Sequence, residues 1–177
     1  GSKTGQGFYK KVSNKDGSSE IMTLDLGTMD YRSKKSSNFA TLELTKTIDK
    51  VVDRFKVLID GKDKAGQFYR KSFAALFAYV SHRIPEITDE LYKIDDAMKA
   101  GFGWEHGPFQ IWDAIGLEKG IELINSEGNN PAEWVNEMLA SGNKSFYTVK
   151  EGATYFYDIP KKSMAKVPGQ DAFIILD

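Results

Sequence analysis

Apolar positions recur at helical spacing through the middle of the chain and at strand spacing towards its ends. Ile48, Val51, Val52, Phe55, Leu58 and Ile59 fall on one face, with Lys46, Asp49, Lys50, Asp53, Arg54 and Lys56 opposite. This predicts a helix from Phe39 to about Ile59, capped by Asn38 and ended by Gly61. Asp63 is placed to cap a second helix, in which Phe73, Leu76, Phe77, Val80 and Ile84 make one stripe. Ala74, Ala75 and Ala78 beside that stripe allow another helix to approach closely. Pro85 lacks an N–H and is expected to end or kink this helix near Arg83. A third helix is expected over about Glu86–Met98 and a further one over Leu117–Ser126. Asn129-Asn130-Pro131 reads as the start of a last helix that buries Trp134, Val135, Met138 and Leu139 and stops at Gly142-Asn143.

The flanks read differently. Asn14-Lys15-Asp16-Gly17 is a turn signal before a strand over Glu20–Leu26, which makes a small hairpin. Thr28–Asn38 is polar and reads as a poorly ordered linker. Phe146–Val149 and Thr154–Ile159 are expected to pair across Glu151-Gly152. Tyr155-Phe156-Tyr157-Asp158-Ile159-Pro160-Lys161-Lys162 echoes Gly7-Phe8-Tyr9-Lys10-Lys11, which suggests two related repeats. Phe173-Ile174-Ile175-Leu176 has the look of the first strand of a further domain. The expected fold is mainly α with short β-hairpins at its flanks. The expected divisions are 1–38, 39–145 and 146–177.

Between the helical stretches lies Gly101-Phe102-Gly103-Trp104-Glu105-His106-Gly107-Pro108-Phe109-Gln110-Ile111-Trp112-Asp113-Ala114-Ile115-Gly116. Gly101, Gly103 and Gly107 permit backbone angles that other residues resist. Pro108 suits a first helical turn, Phe109, Trp112 and Ile115 follow at helical spacing, and Gly116 is placed to stop the helix. The local expectation is a tight connection, a short buried helix and a turn, with Trp104 and Trp112 as core anchors.

Composition narrows the chemistry. The 177 residues suffice for one domain with ordered extensions. There is no cysteine, which removes disulfides, cysteine metal sites and thiol nucleophiles, and fits a reducing compartment. No apolar run reaches the roughly 18 residues of a membrane helix, no nucleic-acid partner is indicated, and a cytoplasmic location is expected. Residues 1–71 hold 15 Lys and Arg against 9 Asp and Glu, and residues 72–177 hold 9 against 16. The lysines of the basic half are interleaved with acids on a helix, as on a solvated face.

His82 and His106 are the sole histidines and make no zinc site. Asp95, Asp96 and Asp113 read as caps or loop anchors, since buried polar groups need partners. No Ser/His/Asp order and no Gly-rich dinucleotide loop stands out. Lys3-Thr4-Gly5-Gln6-Gly7 lacks the spacing of a P-loop. No catalytic, cofactor-binding or metal-binding residue is therefore expected.

With the preceding Ile94-Asp95-Asp96-Ala97-Met98-Lys99-Ala100, the central run resembles the C-terminal helical domain of the 3-hydroxyacyl-CoA dehydrogenases. There an I-D-x-A-M-K-x-G helix end leads into G-x-G-x-x-x-G-P-F-x-x-x-D-x-x-G-L, and every fixed position is met from Ile94 to Leu117. The motif residues are Gly101, Gly103, Trp104, Gly107, Pro108, Phe109, Trp112, Asp113 and Gly116. Lys3-Thr4-Gly5-Gln6-Gly7-Phe8-Tyr9 resembles the K-T-G-x-G-F-Y that closes such a domain, which implies that the chain opens on the tail of a preceding repeat. The resemblance implies a bundle of the 6-phosphogluconate dehydrogenase C-terminal-like type. It further implies a parent that oxidises (3S)-3-hydroxyacyl-CoA with NAD, held by an upstream Rossmann domain with a His/Glu pair. Catalytic copies carry an asparagine where this chain has Arg70, which implies a non-catalytic second copy paired with a first repeat as a pseudo-dimer. Some such fusions continue into an enoyl-CoA hydratase domain. A homodimer is expected of the separate chain, through Ala74, Ala75, Ala78 and Phe109–Ile115. A different NAD(P)-dependent dehydrogenase and a non-enzymatic interaction module remain as alternatives.

Overall fold

The computed structural model describes residues 3–169, without the Pro85 side chain, and the strand expected over Phe173–Leu176 lies outside the described residues. The chain divides into two units, at Asn38 and Phe39. The first holds one antiparallel sheet of three strands, β1 (Tyr9–Ser13), β2 (Ser19–Leu24) and β3 (Tyr31–Arg32), in that order. The turn after β1 is where Asn14–Gly17 predicted it, with Gly17 N–H donating to the Asn14 carbonyl and the Asp16 carboxylate accepting from Ser18 N–H. The expected linker supplies a third strand. Its Arg32 pairs with Asp25 at 2.8 Å and closes the loop between β2 and β3.

The second unit contains α1 (Ala40–Thr45), α2 (Val51–Asp60), α3 (Lys64–Ile87), α4 (Leu91–Phe102), α5 (Pro108–Ile115), α6 (Leu117–Ser126) and α7 (Glu133–Ala140). A second three-stranded antiparallel sheet follows, β4 (Tyr147–Lys150), β5 (Ala153–Asp158) and β6 (Ser163–Lys166). The chain is mainly helical with small sheets at its flanks.

Several helix boundaries differ from expectation. The predicted single helix over Phe39–Ile59 is two. The Thr45 and Thr47 hydroxyls donate back to the carbonyls of Leu42 and Leu44, and Arg54 takes the carbonyls of Ile48 and Asp49, so the backbone bonds between the helices go elsewhere. The N-cap position is Phe39, not Asn38. The third helix begins at Leu91 rather than Glu86 and runs on to Phe102, so Gly101 is helical.

A further difference concerns Pro85, which α3 passes through to Ile87. Proline has no N–H to return to the carbonyl four residues earlier, which is Ser81. That carbonyl accepts instead from the Trp134 indole N–H at 2.9 Å. The Ser81 hydroxyl, fully buried, donates to Ala78 O and accepts from Ala132 N–H, so the start of α7 is fastened to the same turn of α3. A redirected carbonyl replaces the break.

One aromatic line forms the core. Phe55 of α2 meets Phe73 edge-on, Phe73 stacks on Phe77, and Phe77 stacks on Trp112 of α5 at 4.8 Å. Phe146, at the entry to β4, then lies 5.0 Å from both Phe109 and Trp112 and 5.8 Å from Trp134. Tyr92 of α4 packs on Phe156 of β5 at 4.8 Å. The second sheet is thereby part of the helical core, and Glu151-Gly152, both at positive φ, make its first turn as read from the sequence.

Candidate functional site

The motif run makes the α4–α5–α6 corner. Gly103 ends α4 in the left-handed conformation at φ 65°. Pro108 is the first residue of α5, and Gly116, at φ 109°, ends that helix and opens α6. Gly107 is needed for another reason. Its φ of −77° is ordinary, but a Cβ there would lie 2.3 Å from the Asp95 Cβ.

Gly107 stands at the N-cap of α5, and without a side chain it leaves the helix amides uncapped. Asp95 of α4 supplies the missing acceptor. Its Oδ1 accepts from Phe109 N–H at 2.9 Å and its Oδ2 from Gln110 N–H at 3.1 Å. The Tyr147 hydroxyl donates to the same Oδ2 at 2.9 Å. The Gln110 side chain in turn accepts from Gly107 N–H at 3.0 Å. Asp95 is 1 % exposed, and burial pushes its carboxyl up to about 6.

Asp113, on the same helix, clamps the second sheet. Its two oxygens accept from Phe146 N–H and Tyr147 N–H, each at 2.8 Å. Burial pushes it up to about 7 against the pull of those two donors. Tyr147 joins the two aspartates, its hydroxyl on one and its amide on the other, and burial pushes its phenol upward as well. A groove of about 550 Å³ opens beside this cluster, lined among others by Asp53, Lys56, His106, Gln110, Asp113 and Tyr147.

A carboxyl near neutrality beside a groove invites a reading as a general acid or base. Both oxygens of Asp113 are held by backbone amides, those of Phe146 and Tyr147. Asp95 anchors α5 and Asp113 anchors the entry to β4 through these hydrogen bonds.

Trp112 is fully buried and its indole donates to Leu117 O at 3.1 Å across the Gly116 corner. Gly120 accommodates that ring; a Cβ there would come within 1.9 Å of the Trp112 Nε1. Trp104 is half-buried and packs against the core. The expected pairing surface is largely spent inside the chain: Ala74, Ala78, Phe109, Ile111, Trp112 and Ile115 are buried, and of the three alanines Ala75 alone is exposed. His82 lies near the Asn130 carbonyl, and His106 meets Phe55 edge-on. No group of three or more His, Cys, Asp or Glu is placed to hold a metal among the described residues, and no helix among them is long and apolar enough to cross a membrane.

Arg70 of α3 donates to the carbonyls of Ile59 and Gly61. It thereby satisfies the end of α2 and places a cation at that helix's negative pole. Tyr147, Gln110 and Gly120 were not singled out by the sequence pattern. Gln110 carried a signal, three residues past an N-cap glycine, whereas the hydroxyl reach of Tyr147 has no signature in spacing.

The echo between the sheets also changes register. Tyr155-Phe156-Tyr157 lies in the middle strand β5, while Phe8-Tyr9 leads into the first strand β1. The counterpart of Phe8-Tyr9 in the second sheet is Phe146-Tyr147.

The chain is similar in sequence to several known proteins. The chain is 39% identical over 158 residues to a 3-hydroxyacyl-CoA dehydrogenase of Bacillus subtilis, covering 89% of this chain and 19% of that one. It is 30% identical over 67 residues to a fatty acid oxidation complex trifunctional enzyme of Rickettsia prowazekii, 38% of this chain and 9% of that one. A protein of the same description from Rickettsia felis is 22% identical over 107 residues, 60% of this chain and 13% of that one. The chain thus spans less than a fifth of the length of each of these relatives. No solved structure gives a significant match. Residues 63–155, more than half of the chain, match the 3-hydroxyacyl-CoA dehydrogenase C-terminal domain, and the chain belongs to that family.

Proposed function

We propose that this chain is the second, non-catalytic helical repeat of a fatty-acid β-oxidation enzyme, with a bundle of the 6-phosphogluconate dehydrogenase C-terminal-like type. In this reading the whole protein is cytoplasmic and oxidises (3S)-3-hydroxyacyl-CoA to the 3-ketoacyl-CoA with NAD. The repeat helps enclose the acyl-CoA and packs on a first repeat as a pseudo-dimer. The observation that carries the proposal is Arg70. Where catalytic copies are expected to present an asparagine to substrate, this chain has a guanidinium turned to the carbonyls that end α2.

The described residues do not fit NAD. Both sheets are antiparallel, and Gly101 and Gly103 stand at the end of a helix rather than at a strand-to-helix turn. Redox chemistry is accordingly assigned to another part of the whole protein, and this chain's residues act by packing and positioning. The pairing surface is better sought on the outward face of α3, where Phe68, Ala75 and Tyr79 are exposed at helical spacing. A homodimer of the separate chain would use the same face. The test is the full-length protein incubated with NAD and a (3S)-3-hydroxyacyl-CoA. NADH formation at 340 nm is expected, and its absence with acyl-CoA substrates of short and long chain would remove the reading.

A further inference from the structure

The two sheets are copies of one design. Leu24 N–H donates to Phe8 O at 2.9 Å, and Tyr157 N–H to Phe146 O at 2.8 Å. Tyr9 faces Thr23 as Tyr147 faces Phe156, and the third strands join in the same register, Thr23 to Arg32 and Phe156 to Ala165. Each middle strand runs directly into an aspartate, Asp25 or Asp158, whose side chain accepts a backbone N–H from its own loop, that of Gly27 or Lys161. Four residues beyond each aspartate stands a non-glycine residue at positive φ, Met29 at 62° and Lys162 at 50°. The copies differ in the length of the first turn.

The equivalent positions differ in what covers them. Phe146 is fully buried among Phe109, Trp112 and Trp134, and Asp113 holds its amide and that of Tyr147. Ile159 packs against the same core. In the first sheet, Phe8 is 70% exposed, Tyr9 is 64% exposed, and Leu26, the counterpart of Ile159, is 69% exposed. Three apolar side chains seated in one copy are bare in the other. Burial of such groups is the main drive to association, and an exposed set whose shape is already matched elsewhere in the molecule states its complement.

We infer that the β1–β3 sheet docks, through Phe8, Tyr9 and Leu26, onto another helical module built like the one that seats Phe146. That module presents a pocket of aromatic rings and an aspartate that accepts the backbone N–H groups at the strand entry. The inference rests on the reading of this sheet as the closing element of a preceding repeat, and names the contact by which it closes.

The full-length natural protein tests it, with the photoreactive residue p-benzoylphenylalanine in place of Phe8. Cross-links mapped by mass spectrometry are expected in the aromatic pocket of a helical module outside residues 39–169. The same residue in place of Phe146 serves as control and is expected to label the segment around Phe109–Trp112. No cross-link from position 8, or one landing within residues 39–169, overturns the inference. Phe8→Ala supplies a second readout: it is expected to lower the melting temperature of the full-length protein and to leave that of the 177-residue chain unchanged. Equal effects in the two would also overturn it. NADH formation by the unlabelled full-length protein is scored separately, so loss of the β-oxidation reading and loss of the docking contact are distinct results.

Discussion

Asp95→Ala removes the acceptor on which the central corner depends. The carboxyl serves three donors, Phe109 N–H, Gln110 N–H and the Tyr147 hydroxyl, at 2.9, 3.1 and 2.9 Å. No other cap replaces it, because Gly107 has no side chain and packs directly against Asp95. Loss of an N-cap costs about 1 kcal/mol, and a buried donor left unsatisfied about 1–3 kcal/mol. Against this stands relief of the cost of burying the carboxyl, which is absent below about pH 4, present in part near pH 5 and full once pH passes the folded-state value of about 6. The net loss is about 3 kcal/mol near pH 5 and smaller near pH 8, where the wild-type carboxyl is ionised at its own expense. Urea unfolding followed by far-ultraviolet circular dichroism at the two pH values measures both. Asp95→Asn is expected to fall with it, since its amide nitrogen would confront a backbone N–H. A loss under about 1 kcal/mol near pH 5 would refute the assignment of Asp95 as the cap of α5.

Trp112→Ala removes a fully buried ring from the middle of the aromatic line and is expected to cost about 3–5 kcal/mol; an unchanged melting curve would contradict that placement. Gly120→Ala drives a methyl into the Trp112 ring and should cost about 1–3 kcal/mol. Gly101→Ala, in helix with open space at its Cβ, should be neutral or stabilising by up to about 1 kcal/mol. Equal effects of the two on the melting temperature would discredit the packing argument. Stability should also fall as pH rises from about 4 to about 7. Asp95 and Asp113 bind their protons more tightly folded than unfolded, so the folded state holds the extra protons in that window. Asp63, held low by Gly66 N–H, acts in the opposite sense only as pH falls below about 4. Asp113→Asn should flatten the decline between about 4 and 7, and an unaltered pH profile of the melting temperature would speak against it.

Much of this was legible from residue spacing because the core is built from periodic stripes. Phe73, Phe77, Val80 and Ile84 of α3 all lie where the pattern put them, and Gly116 and Pro108 mark the ends of α5 as written. Asp63 caps α3 through Gly66 N–H, as its position implied. The misses at Pro85 and at the two aspartates share one cause, partners distant in sequence. Pro85 does not break its helix because Trp134, far along the chain, takes the orphaned carbonyl. Asp95 and Asp113 could be read as anchors from their type, but Phe146 and Tyr147 could not be named as what they anchor. The third strand of each sheet is short, and β3 lies in a stretch too polar for alternation to show.

We propose a division of labour, in which this chain folds and packs while the redox chemistry belongs to another part of the whole protein. The direct measurement is NADH formation at 340 nm by the purified 177-residue chain, shown folded by circular dichroism, with NAD and a (3S)-3-hydroxyacyl-CoA. A folded protein with no signal above a heat-killed control is expected. Turnover by the folded chain would contradict it.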